Sequence, residues 1–203
     1  TNTFFQTYWE SVLKQNLIRV PQGCPTVEKA MDLAVVFSAQ KVYTEADPLK
    51  IQMDKGVHEI VGYNNQWGNR VKSVKVTCSH ITFVGKGKDQ TTIRGGFQVV
   101  NQQHVKFEEL TITNHGGFGF SLEGSETNVD VLKCVVKECG GVGMWVRNGA
   151  TVTATQCEVM ENDQWWLLCQ RANTKVRLND STMHHNEMAG LYANHRAIVD
   201  LHG

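Results

Sequence analysis

At 203 residues, with 20 basic and 20 acidic side chains and a formal net charge of zero, the chain carries no basic footprint for a nucleic-acid or anionic-membrane partner. No apolar stretch is long enough to span a bilayer, and no secretory signal opens the chain. The length suits one continuous domain or two small ones.

In chain order, residues 3 to 15 space their apolar side chains as a helix does, with Phe5, Trp9, Val12 and Leu13 on one side. Leu17-Ile18-Arg19-Val20 reads as a short strand stopped by Pro21. Thr26 is the N-cap of a second helix that should bury Val27, Ala30, Leu33, Ala34 and Phe37. Strand alternation follows at Leu49, Ile51 and Met53, then at Gly56, Val57 and Ile60. Residues 61–74 are polar, contain Gly62 and Gly68, and read as a loop interrupting an early coil. His80 to Gln103 is a diverged copy of the repeat that comes next.

From His104 onward the chain repeats itself every 23 or 24 residues, with copies beginning at His104, Asn128, Thr151, Lys175 and Ile198. Val105, Val129, Val152, Val176 and Val199 share one place, and Phe107, Val131, Ala154, Leu178 and Leu201 the next. Leu110, Cys134, Cys157 and Ser181 form a third column, and Ile112, Val136, Val159 and Met183 a fourth. The later part of each copy adds Phe118, Val142, Trp165 and Ala189, then Phe120, Met144, Leu167 and Leu191, then Leu122, Val146, Cys169 and Ala193.

Within each run the apolar places lie two apart, the spacing that points alternate side chains to one face of a strand. The phase slips once between the second and third columns, so the backbone turns a corner there. A second corner falls at Asn114-His115-Gly116-Gly117 and its equivalents, and a third at Gly124-Ser125 and Asn148-Gly149. Three short strands per coil, each lying on its counterpart one coil earlier, make an all-β solenoid. Parallel crossovers are right-handed, so we read a right-handed parallel β-helix with an N-terminal α-helical cap. Residues 1–40 supply the cap and opening strand, and residues 41–203 the solenoid. The chain stops six residues into a coil, so the solenoid is expected to continue beyond it. Outward charges alternate down Lys106, Asp130, Thr153, Arg177 and Asp200, which favours neighbouring strands in that register. Trp165 shares its copy with Ala154, Cys157 and Cys169, small partners for a bulky inward ring.

Six cysteines show no zinc spacing. Cys134 and Cys157 fall in one inward column, where in-register side chains point the same way and disulfide bonding is disfavoured. Free thiols and a reducing, cytoplasmic setting are expected.

The succession of short strand, Pro-Thr-Val-Glu-Lys-Ala-Met helix, strand and Gly-Val-His-Glu-Ile strand resembles the opening of pectin-lyase-like β-helix proteins. The likeness continues through Ile81-Thr82-Phe83-Val84-Gly85-Lys86-Gly87, Thr92-Ile93-Arg94-Gly95 and the repeats. The repeat type is also similar to sugar-hydrolase-related β-helix repeats, including those of certain F-box proteins. The resemblance implies the fold and leaves activity open. In enzymes it resembles, a substrate groove runs along one outward sheet face. The matching face here belongs to the strand after the Gly-Gly corner. Its outward places are Gly119, Gly143, Trp166 and Gly190, then Ser121, Trp145, Leu168 and Tyr192, then Glu123, Arg147, Gln170 and Asn194.

Trp145, Trp166 and Tyr192, with Arg147, Leu168, Gln170 and Asn194 beside them, are the candidate binding residues, since exposed aromatics next to polar groups suit protein or sugar recognition. Glycoside cleavage needs two opposed carboxylates, and lyases of this resemblance use acidic calcium ligands with a base. Glu123 alone is acidic on this face, so no catalytic residue is assigned. At the Gly-Gly corner Asn114, Glu138, Glu161 and His185, flanked by His115, Asp163, His184 and Glu187, could hold a metal, but a solvated turn is the commoner outcome, and no metal or cofactor is assigned. The expectation is a non-enzymatic scaffold presenting this face to a protein partner. The alternative is a carbohydrate-binding or polysaccharide-degrading protein.

Overall fold

The computed structural model describes residues 2–188 and 190–203, with side-chain surroundings given from residue 6 on. Its backbone winds through three parallel sheets. The first has eight strands in the order Leu17–Val20, Leu49–Met53, Ile81–Val84, Val105–Glu108, Asn128–Leu132, Thr151–Thr155, Lys175–Asn179 and Ile198–His202. The second has six: Gly56–Glu59, Thr91–Arg94, Thr111–Thr113, Val135–Lys137, Glu158–Met160 and Thr182–His184. The third also has six: Ser73–Val76, Gly96–Val100, Phe120–Glu123, Met144–Arg147, Leu167–Gln170 and Leu191–Asn194. Each coil visits the three sheets in turn, and every ladder within them is parallel. The architecture is the expected parallel β-helix.

Register follows the repeat. Val105 lies on Val129, Val129 on Val152, Val152 on Val176 and Val176 on Val199. The outward column Lys106, Asp130, Thr153, Arg177 and Asp200 stacks in the same ladders. Inside, Phe83 and Phe107 stack with ring centres 5.0 Å apart, and Phe97 and Phe120 close the same layer from the third sheet, with Phe120 4.8 Å from Phe107. These rings are fully buried. They give the early coils a dense aromatic interior, and ring pairs at such distances stabilise beyond their buried area.

The corners explain the phase of the pattern. At the first, Glu109, Lys133, Gln156 and Asp180 each take a left-handed conformation, φ 47° to 54°. One such residue turns the chain and shifts the alternation by one, so that Leu110, Cys134 and Cys157 point inward and are buried. At the second corner Glu138, Glu161 and His185 are left-handed as well, φ 52° to 55°. Asn114 does not share their place. It aligns instead with Cys139, Asn162 and Asn186, because Gly140, Asp163 and Glu187 donate their N–H groups to the carbonyls of Asn114, Cys139 and Asn162. The coil of Asn114 enters this corner without the left-handed residue, and sequence spacing alone could not reveal that.

The result is a buried polar ladder. Asn162 Oδ1 accepts from the Cys139 N–H at 3.0 Å, and Asn186 Oδ1 accepts from the Asn162 N–H at 3.1 Å. Asn114 Nδ2 donates to the Phe118 carbonyl at 2.7 Å. At the third corner, Thr127 and Thr174 are buried, and each hydroxyl donates to a carbonyl four residues back while accepting an N–H from the preceding coil. Asn114 Oδ1 alone in this set is buried without a partner among the described residues; the satisfied members fix one register rather than several.

Helices α1 (Asn2–Gln15) and α2 (Val27–Ser38) lie over the first coil. Thr26 Oγ1 accepts the Lys29 N–H, the expected N-cap. Val27, Ala30, Met31, Ala34 and Phe37 are buried, with Leu33 only half-buried, so Met31 takes the place expected of Leu33. Phe5 lies outside the residues whose side chains are described. Helix α2 packs on the first strands of the first and third sheets, and Trp9 meets Phe37 at 4.4 Å. The helices thereby cover ladder groups that would otherwise stand open at this end. Residues 61–74 are not all loop: Tyr63–Asn64 and Arg70–Val71 pair as an antiparallel hairpin, and Ser73–Val76 opens the third sheet.

Candidate functional site

The outer face of the third sheet is a ribbon of two columns. One runs Lys75, Gln98, Ser121, Trp145, Leu168 and Tyr192. The other runs Val100, Glu123, Arg147, Gln170 and Asn194. Strand alternation sends these side chains outward because their neighbours, from Phe97 to Cys169, fill the interior.

Arg147 is the hub. Its guanidinium lies 3.9 Å from the centre of the Trp145 ring and bonds Glu123 Oε2 at 2.6 Å. Glu123 Oε1 accepts from Asn148 Nδ2 at 2.5 Å. Trp145 Nε1 donates to Gln170 Oε1 at 3.0 Å, and Phe118 meets the Trp145 ring edge-on at 5.1 Å. These contacts span three coils and hold Trp145 in one orientation.

Two nominated residues are placed differently. Trp166 is fully buried, and Trp165 takes the outward position, 5.7 Å from the Tyr192 ring. Leu168 is also buried, 8% exposed, between Trp145 and Tyr192. The expectation assumed that strand alternation continued back through the bend. There, however, the place directly before each strand points inward. A Cβ at Gly119 would come 2.5 Å from Val136 and one at Gly143 2.9 Å from Val159, which is why glycine stands at both. Trp166 occupies the equivalent place in a coil whose other inward residues include Ala154, Cys157 and Cys169. The small partners assigned to Trp165 thus accommodate Trp166. Phe118 and Trp165, expected inside, are half-buried and join the outward aromatics, while Val142 is inside and Ala189 lies outside the described residues. Tyr192 is 45% exposed, and Arg147, Gln170 and Asn194 are partly exposed.

At its N-terminal end the ribbon is walled by the hairpin. A cavity of about 520 Å³ lies between Tyr63, Lys75, Thr77, Gln98, Val100 and Gln102. The Tyr63 hydroxyl donates to Gln98 Oε1 at 2.8 Å, and the Lys75 ammonium sits 3.8 Å from the Tyr63 ring centre. Residue spacing marks this segment only as a loop, because the hairpin's return onto the sheet is a long-range contact.

The Gly-Gly corner disperses its ligand candidates. His115 approaches Glu138 at 3.7 Å, Lys137 bonds Glu138, and His184 bonds Glu158 at 2.9 Å, with Lys88 on the other Glu158 oxygen. Among the described residues no three His, Cys, Asp or Glu side chains gather as a metal would need. The Lys137 hydrogen bond holds the Glu138 carboxyl below its usual range, and the His184 hydrogen bond does the same for Glu158.

A second cleft, of about 310 Å³, lies on the outer face of the first sheet between Glu45, Pro48, Lys50, His104, Lys106, Glu108 and Asp130. Asp130 keeps an exposed edge, and the cleft walls that desolvate its carboxyl hold it above its usual range, with Lys106 opposing. Lys106 bonds Glu108 at 2.7 Å, and His104 faces Glu45 at 3.3 Å.

All six cysteines are free and buried. Burial pushes the Cys134 thiol far up, Cys139 to about 12 and Cys169 to about 11. Among the described residues no helix is long and apolar enough to cross a membrane.

Residues 56–181 match the family described as right handed beta helix region. The chain belongs to that family. The β-helix is therefore right-handed, as parallel crossovers require. A solved structure, ORF18 of Geobacillus virus E2, superposes with a TM-score of 0.68 at 13% identity, covering 96% of this chain and 44% of that one. This β-helix thus spans less than half the length of the viral protein, and the likeness is one of fold. No curated protein matches the chain.

Proposed function

We propose that this β-helix is a non-catalytic recognition scaffold that binds a protein partner along the outer face of its third sheet. The observation that carries the reading is the fixed aromatic surface. Trp145 is locked by Arg147, Gln170 and Phe118, and Tyr192 and Trp165 pair two coils on. Rigid aromatic anchors beside an arginine are the composition of protein-binding hot spots. A scaffold with its interior filled by ladders loses little entropy on binding. Catalysis by paired carboxylates lacks its partner on this face. Glu123 is the only acidic residue on its strands, and both of its oxygens are engaged by Arg147 and Asn148.

Peptides selected from a random display library on the wild-type protein should lose at least ten-fold in affinity on Trp145→Ala or Tyr192→Ala. Selected peptides indifferent to both substitutions would defeat the reading.

The hairpin cavity favours a second reading, that of a glycan-binding member of the pectin-lyase-like β-helices. Its amides, hydroxyls and one ammonium group offer hydrogen bonds suited to sugar hydroxyls, and its size lies in the range of small-ligand sites. Saturable binding of neutral oligosaccharides in a calorimetric titration, abolished by Gln98→Ala and unaffected by Tyr192→Ala, would replace the first reading with this one.

A further inference from the structure

Where the third sheet ends, each coil turns back to the first through a corner that changes character along the molecule. In the coil of Trp145 the turn Arg147-Asn148-Gly149-Ala150 is closed by the Ala150 N–H donating to the Arg147 carbonyl at 3.4 Å. Its central residues have φ 58° and 90°. Asn-Gly is the pair such a turn favours, because both central positions demand positive φ. Two coils on, Asn194-His195-Arg196-Ala197 is closed in the same way at 3.1 Å, with φ 50° and 66°. His-Arg therefore stands where Asn-Gly would be easiest, and each such residue costs about 1 kcal/mol or more in this conformation. In the intervening coil Arg171 is left-handed too, φ 75°.

These residues surround a concavity of about 550 Å³ lined by Arg171, Ala172, His195 and Arg196. Arg147 is neutralised by Glu123 and Arg177 faces Asp200, but Arg171 and Arg196 meet no carboxylate among the described residues. His195 Nδ1 bonds Asn194 Oδ1 at 2.8 Å, which leaves Nε2 as the nitrogen open to a ligand. The corner adjoins Gln170, Asn194 and Tyr192.

We infer that this corner is a carboxylate-binding site that selects an acidic protein segment. Acidic side chains would seat on Arg171 and Arg196 while a neighbouring apolar residue packs on Tyr192. The inference rests on the reading of the third-sheet face as a protein-binding surface. Adjacent coils are stacked about 5 Å apart, so Arg171 and Arg196, one coil and one residue out of step, line the same concavity and can take neighbouring carboxylates, each guanidinium bidentately. A polyanionic glycan is disfavoured by the rest of the edge. Running along the axis it would leave the arginines and meet the Glu123–Arg147 pair, already neutral, and Glu126, whereas a peptide can concentrate its charge at one place.

The probe is a fluorescein-labelled dodecapeptide of alternating Asp and Leu, against its Asn/Leu counterpart, with hyaluronan as competitor. The full chain should bind the Asp/Leu peptide at least ten-fold more tightly than the Asn/Leu peptide, and the preference should shrink with salt. Arg196→Gly is the decisive variant. It relieves the backbone while removing the charge, so the urea midpoint should hold or rise as Asp/Leu binding falls at least ten-fold. Arg171→Gln should act in the same direction. Unchanged binding by both variants, or hyaluronan binding more tightly than the Asp/Leu peptide, overturns the inference. If the Asn/Leu peptide binds as well as the Asp/Leu peptide and both are lost in Tyr192→Ala, the corner fails and the face stands. If Asp/Leu binding depends on Arg196 and ignores Tyr192→Ala, the corner stands and the face fails. No binding by either peptide overturns both.

Discussion

Trp166 fills the interior from a place that neighbouring coils give to glycine, and its Nε1 has no hydrogen-bond partner among the described residues. The two facts pull in opposite directions. Trp166→Ala removes a fully buried ring and should destabilise by about 3–5 kcal/mol. Trp166→Phe loses some volume but also removes an orphan donor worth about 1–3 kcal/mol, so it should lie within about 1 kcal/mol of wild type. Urea denaturation separates the two cases, and a Phe variant as weak as the Ala variant would show the indole nitrogen to be satisfied. The titrating residues give a signed pH dependence. Glu158, with His184 and Lys88 on its oxygens, and Glu138, beside Lys137, have lowered pKa values. Their contributions are in place above the unfolded value of 4.5 and fade as pH falls through the folded value. Asp130 has the opposite sign. Its raised carboxyl favours the folded state below 3.8, and that advantage is lost as pH rises through the folded value. At pH 7, Glu158→Gln should therefore lower the urea midpoint and Asp130→Asn should raise it. Between pH 5 and pH 3 the wild-type midpoint should fall, and Glu158→Gln should fall less steeply.

Among the elements, the helical cap and the hairpin depend on single positions. Thr26 supplies the first turn of α2 with its side-chain acceptor, so Thr26→Ala should cost about 1 kcal/mol in global stability. A loss well below that would mean the cap unfolds independently of the solenoid. The hairpin is held to its return strand at Gly62, φ 74°, where a Cβ would come 2.0 Å from the Val71 carbonyl oxygen. Gly62→Ala should push the Tyr63 strand off the third sheet and break the Tyr63–Gln98 bond. Protection of the hairpin amides from hydrogen exchange should fall while the core amides of the first sheet keep theirs. Helix starts and turns of this kind are readable locally. Thr26 was identified from its type and place alone, whereas the pairing of residues 63–64 with 70–71 left only a polar, glycine-bearing stretch as its trace.

At the scale of the whole molecule, the stacked coils and, for Cys24, the helical cap bury every thiol. With Cys139 pushed to about 12 and Cys169 to about 11, the native protein at pH 8 should react with a thiol-disulfide reagent far more slowly than the unfolded chain, which should titrate six thiols. A rapid native phase would mean that one wall of the solenoid opens. By itself, the sequence determined the fold, the register of the first sheet and the direction of the outward ribbon, because an in-register ladder copies the same side-chain preference every 23 or 24 residues. Only the tertiary structure decided which of Trp165 and Trp166 faces water, which residues form the buried ladder at the second corner, and where unpaired arginines collect. Each of these depends on the second or third corner, where the conformation differs from coil to coil and no repeated phase shift records it, unlike the first corner, whose left-handed residue recurs in every copy and shows as a slip in the pattern.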